Sequence, residues 1–121
     1  MARPKDFIGQ WRIIEMNTWD REVLDDPVPA MLTLEKGGLG KISFISVEAW
    51  IDYRIVIRDG LPAVEFSFQG NDAGDLSTGR AWAVLEGDQL RGRFFFHMGD
   101  DSSLVAERVR KRQSRRKTPK Q

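Results

Sequence analysis

Hydrophobic and polar positions alternate along most of the chain in short stretches rich in Ile, Val, Phe and Trp, and turn signals separate these stretches every 8 to 15 residues. Alternation with a period of two is typical of β-strands that bury one face, and no segment keeps the period of an amphipathic helix. The pattern predicts eight strands, at residues 9–17, 29–35, 39–46, 49–58, 61–69, 78–86, 89–97 and 103–110.

The stretch "RDGL" predicts the register of one hairpin. With Asp59 and Gly60 as a two-residue turn, Ile55 lies opposite Val64 and one face of the hairpin is apolar. A slip of one residue would turn every side chain to the wrong face, so this register is strongly specified. The pairing continues with Tyr53 opposite Phe66, Ile51 opposite Phe68 and, on the polar face, Arg54 opposite Glu65.

The stretch "EGDQ" predicts a second hairpin with the same logic, with Gly87 and Asp88 at its turn. Small residues then lie opposite large ones on the buried face, as where Ala81 meets Phe94. The other face pairs Trp82 with Arg93 and Arg80 with Phe95. Pairs of this kind favour cation–π contacts.

Eight antiparallel strands connected in chain order can close into an up-and-down barrel, which removes the exposed edges of an open sheet. A chain of 121 residues has the size of one domain. We therefore expect an all-β fold, a single eight-stranded antiparallel up-and-down barrel formed by residues 1–110. A barrel of this size either fills with side chains or holds one small ligand, and the sequence leaves both alternatives open.

Gly9, Gln10 and Trp11 at the start of the first strand match a Gly-x-Trp motif, and Arg108 lies near the end of the last strand. In these positions the chain resembles the lipocalins and related calycin barrels. The resemblance implies that Gly9, Trp11 and Arg108 form a structural plug, with the arginine over the tryptophan at the closed end. The stretches "GND", "GRAWA" and "GDDS" also resemble those of an uncharacterised family of small bacterial proteins, which carries no assigned activity.

The connections fall into two groups, because an up-and-down barrel places alternate turns at the same end. Short turns lie at the Trp11 end, whereas the connections after strands one, three, five and seven are expected to be long and to form the opposite end, the mouth. They include "TWDREVLDDPVP", "QGNDAGDLST" and "HMGDDSS". Arg21 and Arg80 are expected nearby as counter-charges. The mouth is predicted to be acidic because these stretches contain Asp20, Glu22, Asp25, Asp26, Asp72, Asp75, Asp100 and Asp101.

A small apolar or cationic ligand is the partner that this arrangement suits, bound without covalent chemistry. The candidate pocket and mouth residues are Tyr53, Phe66, Phe68, Ala81, Phe94 and Phe96, with Asp72, Asp100 and Asp101 at the rim. Carboxylates also suit hard cations, but "NDAGD" lacks the ligand spacing of a calcium loop, and Asp and Asn are ordinary turn residues. We therefore expect no metal and no cofactor.

A second candidate site lies on the outward face of the predicted barrel, where aromatic and basic residues cluster. Its members are Trp50, Arg54, Trp82, Arg93, Phe95 and His97. A surface that combines Trp, Phe and Arg has the composition of an interface core, which favours a homo-oligomer. If the inward and outward faces are exchanged, the same residues instead line a polar ligand pocket.

The charge distribution is asymmetric although the net charge is only +1. Residues 1–107 hold 11 basic and 18 acidic residues, a formal charge of −7, whereas residues 108–121 hold 8 basic residues and no acid. We predict a disordered basic tail at residues 111–121. Such a tail is either a solubilising terminus or a weak, non-specific contact for nucleic acid and other acidic partners.

Composition excludes several classes of function. The chain has no cysteine, which excludes disulfides and thiolate catalysis, and it has no apolar run long enough to span a membrane. It also lacks the apolar region of a secretory signal, so we expect a cytoplasmic protein. His97 is the single histidine, and although Asp100, Asp101 and the serines at 102–103 are near it in sequence, a catalytic group is disfavoured and no catalytic residue is assigned.

Overall fold

The computed structural model describes residues 4–109. These residues form a closed barrel of eight antiparallel strands in which each strand pairs with its neighbours in chain order and β1 pairs with β8. The predicted fold class is confirmed. The strands are β1 Gly9–Glu15, β2 Met31–Glu35, β3 Leu39–Phe44, β4 Val47–Arg58, β5 Leu61–Asp72, β6 Asp75–Glu86, β7 Gln89–Phe96 and β8 Asp101–Arg108.

Within residues 4–109, helical structure is confined to a 3₁₀ turn at Pro4–Asp6 and one helical turn, α1, at Arg21–Leu24. The helix lies in the long connection between β1 and β2. Within the described part of the chain, no helix is both long enough and apolar enough to cross a membrane. The predicted basic tail, residues 111–121, lies outside the described residues.

The two hairpin registers predicted from sequence are confirmed. Ile55 pairs with Val64 and Tyr53 with Phe66 across the first hairpin. In the second hairpin Ala81 pairs with Phe94. The agreement follows from the alternation itself, because only this register places the apolar side chains of both strands on one face.

The prediction that the connections after β3 and β5 are long is wrong. Residues 45–46 and 73–74 are two-residue turns, and β5 and β6 remain paired as far as Asp72 and Asp75. Ala73 and Gly74 both have positive φ, at 54° and 96°, as a tight hairpin with right-handed strand twist requires. The Gly, Asn and Asp residues of "QGNDAGDLST" therefore belong mostly to the strands. Only residues 16–30 and 97–100 form longer connections at the mouth.

Aromatic side chains meet across the barrel axis in the half nearer the mouth. Phe44 on β3 and Phe94 on β7 belong to strands on opposite sides of the barrel, yet their ring centroids are 5.2 Å apart. Phe68 on β5 stacks on Phe94 at 4.7 Å. All three side chains are buried. At this level the barrel is filled by side chains.

Candidate functional site

The closed end of the barrel is built around Trp11. The Trp11 side chain is fully buried, and its indole Nε1 donates a hydrogen bond to the carbonyl oxygen of Phe7 at 2.9 Å. The guanidinium of Arg108 lies over the indole ring, 4.3 Å from its centroid, and also donates to the carbonyl oxygen of Asp6. Gly9 has a φ of 135°, and a β-carbon there would lie 3.8 Å from an Arg108 nitrogen. The structure therefore brings Gly9, Trp11 and Arg108 together.

Tyr53 lies on the closed-end side and not at the mouth. Its hydroxyl donates to the carbonyl oxygen of Glu35 at 2.5 Å, and its backbone N–H donates to the carbonyl oxygen of Gly38. Burial raises the pKa of the Tyr53 hydroxyl, and the charge of Glu35 adds to this shift. Tyr53 therefore holds the turn between β2 and β3 against the barrel.

The mouth contains an open cavity of about 410 Å³. Its aromatic lining consists of Trp19 from the β1–β2 connection, Phe44 at the end of β3 and Phe96 at the end of β7. Three carboxylates, those of Asp72, Asp75 and Asp100, border the same cavity. Ile45, Ser46, Val47, Leu76, Ser77 and Gly99 complete the lining.

The three aromatic rings of the mouth pack at angles to one another. Trp19 lies 5.7 Å from Phe44 at 48° and 6.1 Å from Phe96 at 88°, measured between ring centroids and ring planes. The Phe44 and Phe96 centroids are 6.3 Å apart. These distances are typical of aromatic clusters. The ring layer of Phe68 and Phe94 lies directly beneath, because both rings also contact Phe96.

The carboxylates of the mouth differ in their partners. Asp72 accepts a hydrogen bond from the hydroxyl of Ser46. Within residues 4–109, the carboxylates of Asp75 and Asp100 have neither an ion-pair partner nor a hydrogen-bond donor. Two uncompensated negative charges therefore border an aromatic cavity.

Of the other acidic residues predicted for the rim, Asp20, Glu22 and Asp26 lie in the connection between β1 and β2 and do not line the cavity. Asp101 forms an ion pair with Arg93 at 2.5 Å and faces outward from β8. Arg80 is not a counter-charge of the mouth, because its guanidinium lies over Phe95 on the outer face. The acidic mouth is thus narrower than the sequence predicts.

The serines near His97 in sequence form hydrogen bonds with the first connection. Ser102 is fully buried, and its hydroxyl donates to the backbone oxygen of Ser103 and contacts Asn17. The backbone N–H of Thr18 donates to the Ser102 hydroxyl at 3.1 Å. The Ser102 hydroxyl is therefore used to fix residues 17–18 against β8.

Asp25 anchors the other end of the same connection. It accepts hydrogen bonds from the backbone N–H of Ala30 at 2.9 Å and from the guanidinium of Arg12 at 2.7 Å. The Ala30 N–H and the positive charge of Arg12 lower the pKa of the Asp25 carboxyl, against the opposing effect of burial. The long connection is thereby held close to β1.

We expect Asp25→Asn to lower the free energy of unfolding by about 1 kcal/mol at pH 7, since one partly exposed charge-assisted hydrogen bond is changed. Because the folded-state pKa is lowered, this stabilisation is present above the unfolded value of about 3.9 and is lost as the pH falls through the folded value. Urea unfolding of both proteins at pH 7 and in acid measures the difference. Glu22→Gln, at an exposed position in α1, is the control. A difference that stays constant on acidification would contradict this account.

Five of the six outward-facing candidates, all except Arg93, lie around a groove on β4 to β7. Two depressions, of about 640 and 490 Å³, share Asp52, Ser67 and Arg80, and we call them together the outer groove. Trp50 and His97 border the first depression, and Arg54, Trp82 and Phe95 border the second. Backbone or side-chain atoms of Phe66, Phe68 and Ala81 also reach this surface.

The predicted contact of Arg80 with Phe95 is confirmed, at 5.0 Å from guanidinium to ring centroid. Trp82 is paired with Arg93 across the strands as predicted, but the cation over its indole is Arg58, at 3.6 Å, because Arg93 is held by Asp101. Arg58 is at the end of β4, two strands from Trp82, so its long side chain crosses β5 to reach the ring.

Trp19 and Phe44 line the mouth although neither is among the pocket residues predicted from the sequence. Trp19 is the harder of the two to predict. Trp19 lies in a polar connection between two strands, where no alternating pattern predicts which side chains are buried. A Trp among charged residues nevertheless indicates packing against the body of the protein.

Within residues 4–109, no group of three or more His, Asp or Glu side chains is arranged to hold a metal ion. In comparisons with known proteins, no family model, curated protein or solved structure matches the chain.

Proposed function

We propose that the protein binds a small ligand, with an apolar body and a positive charge, non-covalently in the mouth cavity. The observation that carries this proposal is the combination of three aromatic rings, from Trp19, Phe44 and Phe96, with the unpartnered carboxylates of Asp75 and Asp100 around one cavity. No covalent step is needed, and binding alone is proposed.

The physical basis is that two attractions add in this cavity. Aromatic faces carry negative potential and attract cations, most strongly for Trp, by about 0.5 to 2 kcal/mol depending on desolvation. The carboxylates attract the same charge over a longer range, although this effect is screened by salt because the residues are exposed. An apolar body gains further by covering the rings.

The cavity volume limits the size of the ligand. About 410 Å³ lies within the range of small-molecule sites, which is roughly 300 to 1,000 Å³. The layer of Phe68 and Phe94 beneath the cavity prevents the ligand from entering deeper while these rings keep their positions. The ligand is thus held at the rim and not enclosed in the barrel.

The resemblance to calycin barrels belongs to this proposal. The closed eight-stranded topology and the contact of Arg108 with Trp11 support it. A plugged end leaves the mouth as the end at which a ligand can enter.

Choline is a suitable first probe, and its neutral tert-butyl isostere is the matched control ligand. Titration of the full chain, followed by the amide and indole NMR signals, should show shifts for Trp19, Ser46 and Leu76 with choline. We expect the double variant Asp75→Asn, Asp100→Asn to bind choline about tenfold more weakly, since two uncompensated charges are removed. Trp19→Leu should also weaken binding.

The double variant Asp20→Asn, Asp59→Asn is the control, because it also removes two negative charges, from exposed positions that do not line the cavity. Its affinity for choline should match that of the unaltered protein. Equal binding of choline and the neutral isostere would contradict the proposed role of charge. Signal shifts confined to the outer groove would contradict the proposed location.

A further inference from the structure

The outer groove is a product of the strand registers. Across the sheet, Asp52, Ser67, Arg80 and Phe95 form one row, since each is paired with the next on the neighbouring strand. In the adjacent row Trp50 pairs with Gln69, which pairs with Thr78. In this second row Gln69 on β5 and Thr78 on β6, which are short or flexible, lie between Trp50 on β4 and His97 beyond the end of β7. The surface is lower in the middle for this reason.

Around the groove, planar aromatic groups are paired with cations. Arg58 covers Trp82 and Arg80 lies over Phe95, as described above. Trp50, on the opposite wall, is 68% exposed although Lys41 lies 5.2 Å from its centroid. Three strand spacings, roughly 14 Å, separate the β4 wall from the β7 wall. The groove therefore offers several stacking surfaces in one continuous depression.

We propose that the outer groove binds single-stranded nucleic acid without sequence preference. Bases stack on Trp50 and against the aromatic and guanidinium planes around Trp82 and Phe95. Arg54, Arg58 and Arg80 neutralise phosphates along the groove. A basic groove with aromatic platforms is the arrangement by which proteins bind single strands, because every base has a stacking face and every nucleotide a phosphate.

Charge favours a polyanion over a second copy of this chain. Arg54, Arg58 and Arg80 line the groove against two carboxylates, those of Asp52 and Glu65. Glu65 lies 3.9 Å from Arg58 and so offsets part of its charge. Asp52 lies at the centre of the groove, where both depressions meet, and Asp is depleted in protein interfaces. The groove and the mouth are separate surfaces, so this proposal does not depend on cation binding at the mouth.

Fluorescence anisotropy of a labelled oligothymidylate with the full chain tests the proposal. We expect Trp50→Ala and Arg80→Gln each to weaken binding about tenfold, through loss of one stacking contact or one phosphate contact. Arg80→Gln should also reduce the slope of log K against log salt by about 0.7. Arg21→Gln removes the same charge from exposed helix α1 outside the groove, and it should bind like the unaltered protein. Circular dichroism melting establishes that the variants are folded.

Three results would overturn the proposal. If both groove variants bind the oligothymidylate as tightly as the unaltered protein, the groove does not take part. If thymidine monophosphate binds as tightly as the oligonucleotide, the site accepts a free nucleotide and not a strand. If sedimentation shows a dimer that Trp50→Ala dissociates while oligonucleotide affinity is unchanged, the surface is an interface between copies of the chain.

Discussion

Replacement of Trp11 by alanine is expected to lower the free energy of unfolding by about 3 to 5 kcal/mol. The indole is fully buried at the closed end, where it packs under the guanidinium of Arg108 and donates a hydrogen bond to Phe7. Its removal leaves a cavity, an unpaired carbonyl oxygen and an arginine without its aromatic partner. A small domain is stable by only roughly 5 to 15 kcal/mol, so this is a large share. Urea unfolding followed by circular dichroism measures the loss.

Trp50→Ala is the matched control, because it removes the same side chain from a position that is 68% exposed. We expect this variant to lower the free energy of unfolding by less than about 1 kcal/mol, as most surface substitutions do. If Trp11→Ala does not fold, Trp11→Phe keeps most of the buried ring, loses the hydrogen bond to Phe7 and should show a smaller loss. A loss below about 1 kcal/mol for Trp11→Ala would contradict its role as the plug of the barrel.

The barrel could be predicted because the residue patterns that specify its strands and hairpins lie within short stretches of the sequence. Alternation of apolar and polar residues specifies a face, and a two-residue turn such as that at Asp59 and Gly60 then specifies the register. With two registers known, the inward positions of Phe66 and Phe94 follow. Closure of the sheet into a barrel requires no further residue pattern, because pairing the first strand with the last only removes the two exposed edges.

The mouth was harder to predict, for two physical reasons. Polar residues such as Asn71 and Asp72 are typical of turns, but they also continue a strand once the barrel wall ends and both of its faces meet solvent. The second reason is that Trp19 acts through tertiary packing. Its contacts, Phe44 and Phe96, are distant in sequence, and no periodicity connects them.

Long side chains explain the errors on the outer face. Register identifies the nearest neighbour of a residue, which for Trp82 includes Arg93. An arginine can reach across an intervening strand, however, and Arg58 does so while Asp101 holds Arg93. Whether Arg58 or Arg93 covers Trp82 depends on which acidic residues pair with each arginine, and the strand register does not show these ion pairs. The outer groove consequently emerged only from the assembled sheet.

Phe94→Ala is expected to destabilise the protein as much as the loss of the plug, by about 3 to 5 kcal/mol. The ring is fully buried at the centre of the layer beneath the mouth, stacked on Phe68 and edge-on to Phe44 and Phe96. Because these rings come from β3, β5 and β7, its removal breaks contacts that join opposite sides of the barrel. Urea unfolding measures the loss.

The adjacent residue supplies the control for Phe94→Ala, since Phe95 has the same side chain but points outward and is only partly buried. Phe95→Ala should lower the free energy of unfolding by clearly less. The Phe95 ring contacts Arg80 and solvent, so its removal leaves no closed cavity. Equal losses at the two positions would mean that the interior is loosely packed and that the phenylalanine layer does not limit the depth of the mouth. In that case a ligand could pass beyond Phe96 into the barrel, and the site proposed at the rim would extend inward along the space that Phe68 and Phe94 occupy.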